Sequence, residues 1–284
     1  MRLFIFGPGY VGLAFARRMR AAGWSVCATA RTPQAAAALA AEGVEAAAPD
    51  DLAAGLAGCD AILVTAAPGE SGCPAVGPIG AALRAGAATP AWIGYLSSTG
   101  AYGDRGGGWV FEDSPLRARS EVGRRRVAAE AAWRGLGEEL RLPVMIFRLP
   151  GIYGPGRSAF DRLRDGSARR VVRPGQVFSR IHRDDLTAAL AASIDRPRAG
   201  GIYNLCDDEP SPPQDVIAHA AGLLDMAPPP EVAFEAADLP AASQRFFAES
   251  KRVSNARAKA ELGWRPAYPS YREGLAQILS RERG

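Results

Sequence analysis

Along the first half of the chain, short apolar runs alternate with longer stretches that are apolar on one side only. Leu3–Phe6 is such a run, and after it Leu13, Phe15, Ala16 and Met19 recur at helical spacing. That pattern predicts a buried strand, a turn and an amphipathic helix. Further strands are predicted at 25–29, 44–47, 61–66, 92–97 and 144–148, with helices at 34–42 and 120–140. The 61–66 run is apolar except for Thr65, as expected of a strand covered on both faces. Alternation of this kind implies right-handed βαβ units and an α/β fold, a doubly wound parallel sheet with helices on both sides.

From Pro150 the texture changes. Gly and Pro become frequent and the predicted elements shorten: helices at 160–164, 186–194, 214–224, 255–262 and 271–281, and one strand at 202–205. Ser211 before Pro212 and Pro213 is expected to cap a helix, and Gly263 to end one. The division expected is a nucleotide-binding domain over 1–150, to whose sheet strand 202–205 returns, and over 151–284 a mostly substrate-binding lobe interleaved with it. A small lobe of this kind lies over the strand C-termini, where open α/β sheets take ligands.

The turn after the first strand reads Gly7-Pro-Gly9-Tyr-Val-Gly12. Three glycines at this spacing have separate tasks. Gly7 permits the turn, Gly9 lets backbone approach a pyrophosphate, and Gly12 lets helix and strand pack closely. The helix N-terminus adds unpaired N–H groups and partial positive charge. A Rossmann-type dinucleotide site is the reading.

Composition narrows the class. The chain has 284 residues, 48 % hydrophobic and 23 % charged, which is ordinary for a globular protein. No apolar run is long enough to span a bilayer, and with the first strand beside Met1 no cleavable leader is expected. Four scattered cysteines and two histidines fit no zinc spacing, so no metal is expected and a reducing cytoplasm is the simplest setting. A net charge of +4 permits anion binding, but the arginines read as solvated faces rather than a nucleic-acid surface.

The landmarks now allow a comparison. Gly7–Gly12, Leu96-Ser-Ser-Thr-Gly-Ala-Tyr-Gly103, Arg148-Leu-Pro-Gly-Ile-Tyr-Gly-Pro-Gly156, Ile181-His-Arg-Asp-Asp-Leu186, Tyr203-Asn-Leu and Glu261-Leu-Gly-Trp-Arg-Pro266 occur in one order. In that order the chain resembles the extended short-chain dehydrogenase/reductases, the NAD-dependent epimerase/dehydratase group, as an atypical member. The resemblance implies a Rossmann sheet with a small C-terminal substrate lobe and a nicotinamide cofactor. Cofactor contacts are expected from Gly7, Gly9, Tyr10, Val11 and Gly12, from Thr65, Ala66 and Ala67, and from Pro150. Asp50 or Asp51 resembles the adenine-contacting aspartate of the family, though capping the next helix explains either equally well.

An acidic residue gripping an NAD ribose would stand about 20 residues past the glycine loop. Here the second strand ends in Ala30-Arg31-Thr32. A guanidinium can contact a 2′-phosphate bidentately and Thr32 can add a hydroxyl, so NADP is favoured over NAD.

The family reaction uses a hydroxyl after the fifth strand and a Tyr-x-x-x-Lys pair on the next helix. Ser98 matches the hydroxyl, with Ser97 and Thr99 as neighbours. Val122 stands at the tyrosine position and Arg126 at the lysine position, followed by Glu130. Valine has no proton to give. Arginine keeps its own, yet can hold a ribose, phosphate or carboxylate. Arg124 and Arg125 read as a solvated turn. Tyr102 and Tyr153 are the phenols that could compensate, with Ser98, Tyr102, Arg126 and Tyr153 as the catalytic candidates. His182 and Asp185 read as packing and capping residues. Arg157, Arg180, Phe246, Lys251 and Arg252 are candidates for reading the substrate.

The leading function is NADP-dependent hydride transfer to or from a small carbonyl or alcohol. The rivals are an NADP-binding redox sensor without turnover and a nucleotide-sugar epimerase or dehydratase. A homodimer through the helix after strand four and the arginine-rich helix is expected.

Overall fold

The structure, a computed structural model, describes residues 1–240, 244 and 246–283. Strands β1 (Arg2–Phe6), β2 (Ser25–Thr29), β3 (Glu45–Ala47), β4 (Ala61–Val64) and β5 (Trp92–Ser98) alternate with helices α1 (Tyr10–Ala21), α2 (Pro33–Ala41), α3 (Leu52–Leu56) and α4 (Val76–Arg84). After the short β6 (Trp109–Val110) come α5 (Glu121–Leu140), β7 (Val144–Leu149) and, later, β11 (Ile202–Asn204). Seven of these strands form one parallel sheet in the order β11-β7-β5-β4-β1-β2-β3. The order reverses between β1 and β4, which opens a crevice at their C-terminal ends.

Each strand feeds both faces. Leu3, Ile5, Val26, Leu63, Trp92 and Phe147 point to one side, where α1 packs with Leu186 and Leu190 of α7 (Arg183–Ile194) and Leu262 of α9 (Ala256–Leu262). Phe4, Cys27, Ile62, Tyr95 and Ile146 point to the other, under α3, α4 and Trp133 of α5. This period-two split is the double winding. It explains why the strand sequences are apolar without alternation.

The remaining elements build the lobe. α6 (Ala159–Arg164), α8 (Pro213–Leu223) and α10 (Tyr271–Arg283) share a core of Phe160, Leu163, Ile217, Leu275 and Ile278. Pairs of short strands brace it: β8 (Gly151–Tyr153) with β10 (Arg180–His182), β9 (Arg170–Val172) with β12 (Glu231–Ala233), and β6 with β13 (Arg252–Val253).

Local chemistry sets the boundaries. Thr32 caps α2 by accepting from Ala35 N at 3.1 Å, and Ser120 caps α5 by accepting from Gly123 N at 3.2 Å. Gly263 closes α9 at φ +65°. Two expectations fail. Ser211 does not cap α8, because its hydroxyl accepts from Arg180 Nη1 at 2.8 Å and its backbone pairs with Phe178. Asp185 is no cap either. Its carboxylate reaches across to accept from Ala267 N (2.7 Å) and Tyr268 N (2.9 Å), while His182 Nδ1 caps α7 through Asp184 N. No helix among the described residues is long and apolar enough to cross a membrane.

Candidate functional site

At the β1–α1 turn the three glycines differ in what holds them. Gly7 lies at φ +79°, the left-handed region, and a Cβ there would press on Ala66 at 3.1 Å. Gly12 packs α1 against β1, with Ile5 Cγ2 only 3.2 Å from where its Cβ would stand. Gly9 has no such reason to be glycine. Its φ is −83°, open to any residue, and a side chain there would meet nothing nearer than the Gly7 carbonyl at 4.0 Å. The space beside Gly9 is therefore free, at the end of a helix with no side-chain cap and no acidic residue in its first turn. A dinucleotide pyrophosphate fits this cradle.

The surroundings are consistent with that fit. Thr65 donates to Gly7 O, and Thr29 Oγ1 accepts from Gly7 N at 2.9 Å, so two strand ends brace the turn. Ala66 is half-buried and Ala67 exposed. Val11 is buried, so only its backbone can face a ligand. Tyr10 spans the crevice: its hydroxyl donates to Pro155 O at 3.1 Å, with Arg157 and Arg183 over its ring. Arg31 is exposed and makes no ion pair among the described residues. Thr32 already caps α2 through its oxygen, and Asp51 caps α3 through Ala54 N at 3.4 Å. Pro150 is half-buried between β7 and β8.

The serine loop leaves the end of β5. Ser97 donates to Glu130 Oε1 at 2.5 Å and is committed. Ser98 Oγ accepts from Gly100 N at 3.1 Å, while its own hydrogen has no acceptor among the described residues. Arg126 approaches the same strand end. Its Nη1 donates to Leu96 O (2.7 Å) and Tyr95 Oη (3.3 Å), and its Nε and Nη2 have no partner among the described residues. Val122, in the first turn of α5, is 57 % exposed. Arg124 and Arg125 pair with Glu121, as a solvated turn does.

Neither compensating phenol is available. Tyr102 is fully buried, donates to Asn204 Oδ1 at 2.7 Å and accepts from Arg148 Nη1 at 2.9 Å. It is a core residue, locked where a small molecule cannot reach it. Tyr153 turns its hydroxyl to α10, where it donates to Ser270 O at 3.3 Å and lies against Gly274. Burial pushes its pKa far up, and the nearby Asp207 adds to the shift. Both acid assignments are corrected: each hydroxyl already serves the fold.

Beneath the serine loop lies a buried polar network that sequence reading did not find. Arg148 donates to both oxygens of Glu130, at 2.7 Å to Oε2 by Nη2, and to Glu112 O at 2.9 Å. Glu112 in turn accepts from Asn204 N. Only the position of Glu130 was signalled, and its partner lies 18 residues away. Among the substrate candidates, Lys251 pairs with Glu249 and Arg252 donates to Gly107 O, so both are tied to their own chain. Phe246 is 65 % exposed, beside Phe178. Arg157 and Arg180 share a lobe cavity. Among the described residues no group of three or more His, Cys, Asp or Glu could hold a metal.

Comparison with known proteins follows the geometry. No family model matches the chain. A 3-diazoavenalumate denitrifying reductase from a Streptomyces species is 32 % identical over 146 residues, 47 % of this chain and 46 % of that protein, so the match spans about half of the curated relative. A solved conserved protein of unknown function from Silicibacter pomeroyi DSS is 44 % identical, covers 99 % of this chain and 98 % of its own, and superposes with a TM-score of 0.92. A structure from Methylobacillus flagellatus, provisionally named an NAD-dependent epimerase/dehydratase, is 26 % identical over 100 % of this chain and 99 % of its own, at a TM-score of 0.72. With the sheet order and the glycine cradle, these likenesses show a Rossmann-type α/β fold, and over its whole length the chain is similar to a protein provisionally named an NAD-dependent epimerase/dehydratase.

Proposed function

We propose that the protein is an NADP-dependent oxidoreductase that moves hydride to or from a small carbonyl or alcohol without the tyrosine acid of the family it resembles. The observation that carries this reading is Gly9, a glycine that only a ligand requires. Arg31, exposed and unpaired among the described residues, supports a 2′-phosphate at the far end of the cofactor. The likeness of half the chain to a reductase supports the direction of the chemistry.

Bound in the cradle, the dinucleotide supplies or accepts the hydride. The chain's own work is at the oxygen. Reducing a carbonyl leaves that oxygen one proton short, and a general acid typically contributes about 10²–10⁴-fold. With Tyr102 and Tyr153 committed elsewhere, the Ser98 hydroxyl holds the available proton and passes it on through water from bulk solvent. Arg126 keeps Nε and Nη2 for the negative charge that develops on that oxygen.

A second reading is favoured by one observation, the exposed Val122 where the family has its acid. On that reading the protein binds NADP and does not turn over. Thermal shift decides the cofactor: NADPH should raise the Tm more than NADH at equal concentration, and Arg31→Asp should reverse the order. Equal shifts would remove the NADP assignment. A carbonyl panel then separates the readings, because the oxidoreductase consumes NADPH with some member and the sensor with none. A cofactor that copurifies and never exchanges would favour epimerase or dehydratase chemistry instead.

The same reading takes the protein as cytoplasmic, supported by four free cysteines. It also takes it as a homodimer through α4 and α5, for which light scattering on the purified protein is the test.

A further inference from the structure

A cavity of about 390 Å³ opens in the lobe between β8, α6, α8 and α10. Its size suits a small molecule. Arg157, Arg162 and Arg180 line it together with Tyr153, Tyr271 and one acid, Asp161. Asp161 is occupied. Its Oδ2 accepts from Ser158 N (2.6 Å) and Ser158 Oγ (2.8 Å), closing the capping box of α6. Arg157 stands over the Tyr10 ring.

The other two arginines are short of partners. The Arg162 side chain makes no hydrogen bond or ion pair among the described residues, though its carbonyl accepts from Ala168 N at 2.8 Å. Arg180 uses Nη1 alone, donating to Phe178 O, Ser211 O and Ser211 Oγ, and its Nε and Nη2 have no partner among the described residues. Asp207 acts on Arg180 through space and not by contact. Asp207 is 2 % exposed, both its carboxylate oxygens lack a hydrogen-bond partner, and it forms no ion pair with Arg180 within 4.0 Å. Burial raises its pKa well above the carboxylate range. Burial also lowers the pKa of both arginines, with Asp165 opposing at Arg162 and Asp207 at Arg180. Three guanidinium groups thus line the cavity with one engaged carboxylate, Arg157 and Arg162 exposed at its rim and Arg180 half-buried.

We propose that this cavity is the recognition subsite for an anionic group of the substrate, a carboxylate or phosphate gripped by Arg162 and by Nε and Nη2 of Arg180. The inference rests on the oxidoreductase reading only for calling the ligand a substrate; the anion site stands on its own geometry. It makes the reactant an acidic small molecule, held by its charge in the lobe while its carbonyl or alcohol reaches the serine loop.

The test is calorimetric titration with inorganic phosphate and with malonate as the carboxylate probe, on NADP-saturated wild type and on cofactor-free Gly9→Val. The expected result is saturable binding of at least one probe to both proteins, and the tighter probe names the group. Arg162→Ala should weaken that probe by roughly ten- to a hundredfold, the worth of a hydrogen bond to a charged group, and Arg162→Lys should restore part of the loss. The Arg162 side chain has no partner among the described residues, so the alanine variant should keep its Tm. Absence of binding by either probe, or equal affinity in wild type and Arg162→Ala, overturns the proposal. Wild type that binds the anion but gains no Tm from NADPH or NADH would overturn the oxidoreductase reading and leave the subsite standing.

Discussion

At the scale of single residues, Gly9 and His182 make opposite kinds of prediction. Gly9→Val fills the space beside the helix end without touching the chain, so cofactor affinity should drop more than tenfold. The fold should lose about 1 kcal/mol or less, the cost of a poor N-cap. Gly12→Val, pressed against Ile5, should destabilise by about 1–3 kcal/mol. Matched cofactor titrations and urea melts check both, and normal binding by Gly9→Val would reduce the loop to a turn. His182 is fully buried between Tyr153 and Tyr268. Burial lowers its pKa to about 4, with Asp184 opposing and Arg183 and Arg281 adding to the shift. Folded, the ring is neutral; unfolded, it takes a proton below about 6.5. Its contribution is therefore present above pH 6.5 and is lost as pH falls toward 4, about 3 kcal/mol over that window. His182→Asn keeps an acceptor for Asp184 N and removes the titration. Its stability should fall less than that of wild type between pH 7 and pH 4.5, and identical slopes would exclude His182 as the source.

Among the elements, α5 and β7 are joined by the buried Glu130–Arg148 pair. Removing one partner strands the other charge, so Arg148→Met should cost about 3–5 kcal/mol in urea unfolding. A loss below about 1 kcal/mol would mean that solvent reaches Glu130. This junction also marks where sequence reading stops. Strands β1 to β5 and helix α5 were legible because apolar period is a local signal. The glycine loop was legible because each glycine has its own physical reason. The tyrosines were not. Tyr102 and Tyr153 carry the same side chain a cleft would need, and only Asn204, Arg148 and Ser270, brought in from distant segments, show that both hydroxyls are spent. Asp207 gave no signal at all, since an acid after a strand ordinarily faces water and this one is buried.

For the whole molecule, the order of the sheet and the order of the chain disagree. β11 forms the edge beside β7, yet it follows a long stretch of intervening chain, residues 150–201, and α7 and α9 cover the face that α1 covers only in part. While the chain is being synthesised, six strands are complete by Leu149, but Phe15, Trp92 and Phe147 lack their cover until Trp264 has emerged. At typical elongation rates that interval lasts roughly 6–23 s. A nascent protein in this state displays a wide apolar sheet face and an unpaired strand edge, both of which invite association. A fragment ending at Pro150 should accordingly collect in the insoluble fraction, and co-expression with residues 151–284 should return some of it to solution. Chaperone demand is thus written into the path of the chain, as the consequence of placing a lobe ahead of the edge strand of a sheet.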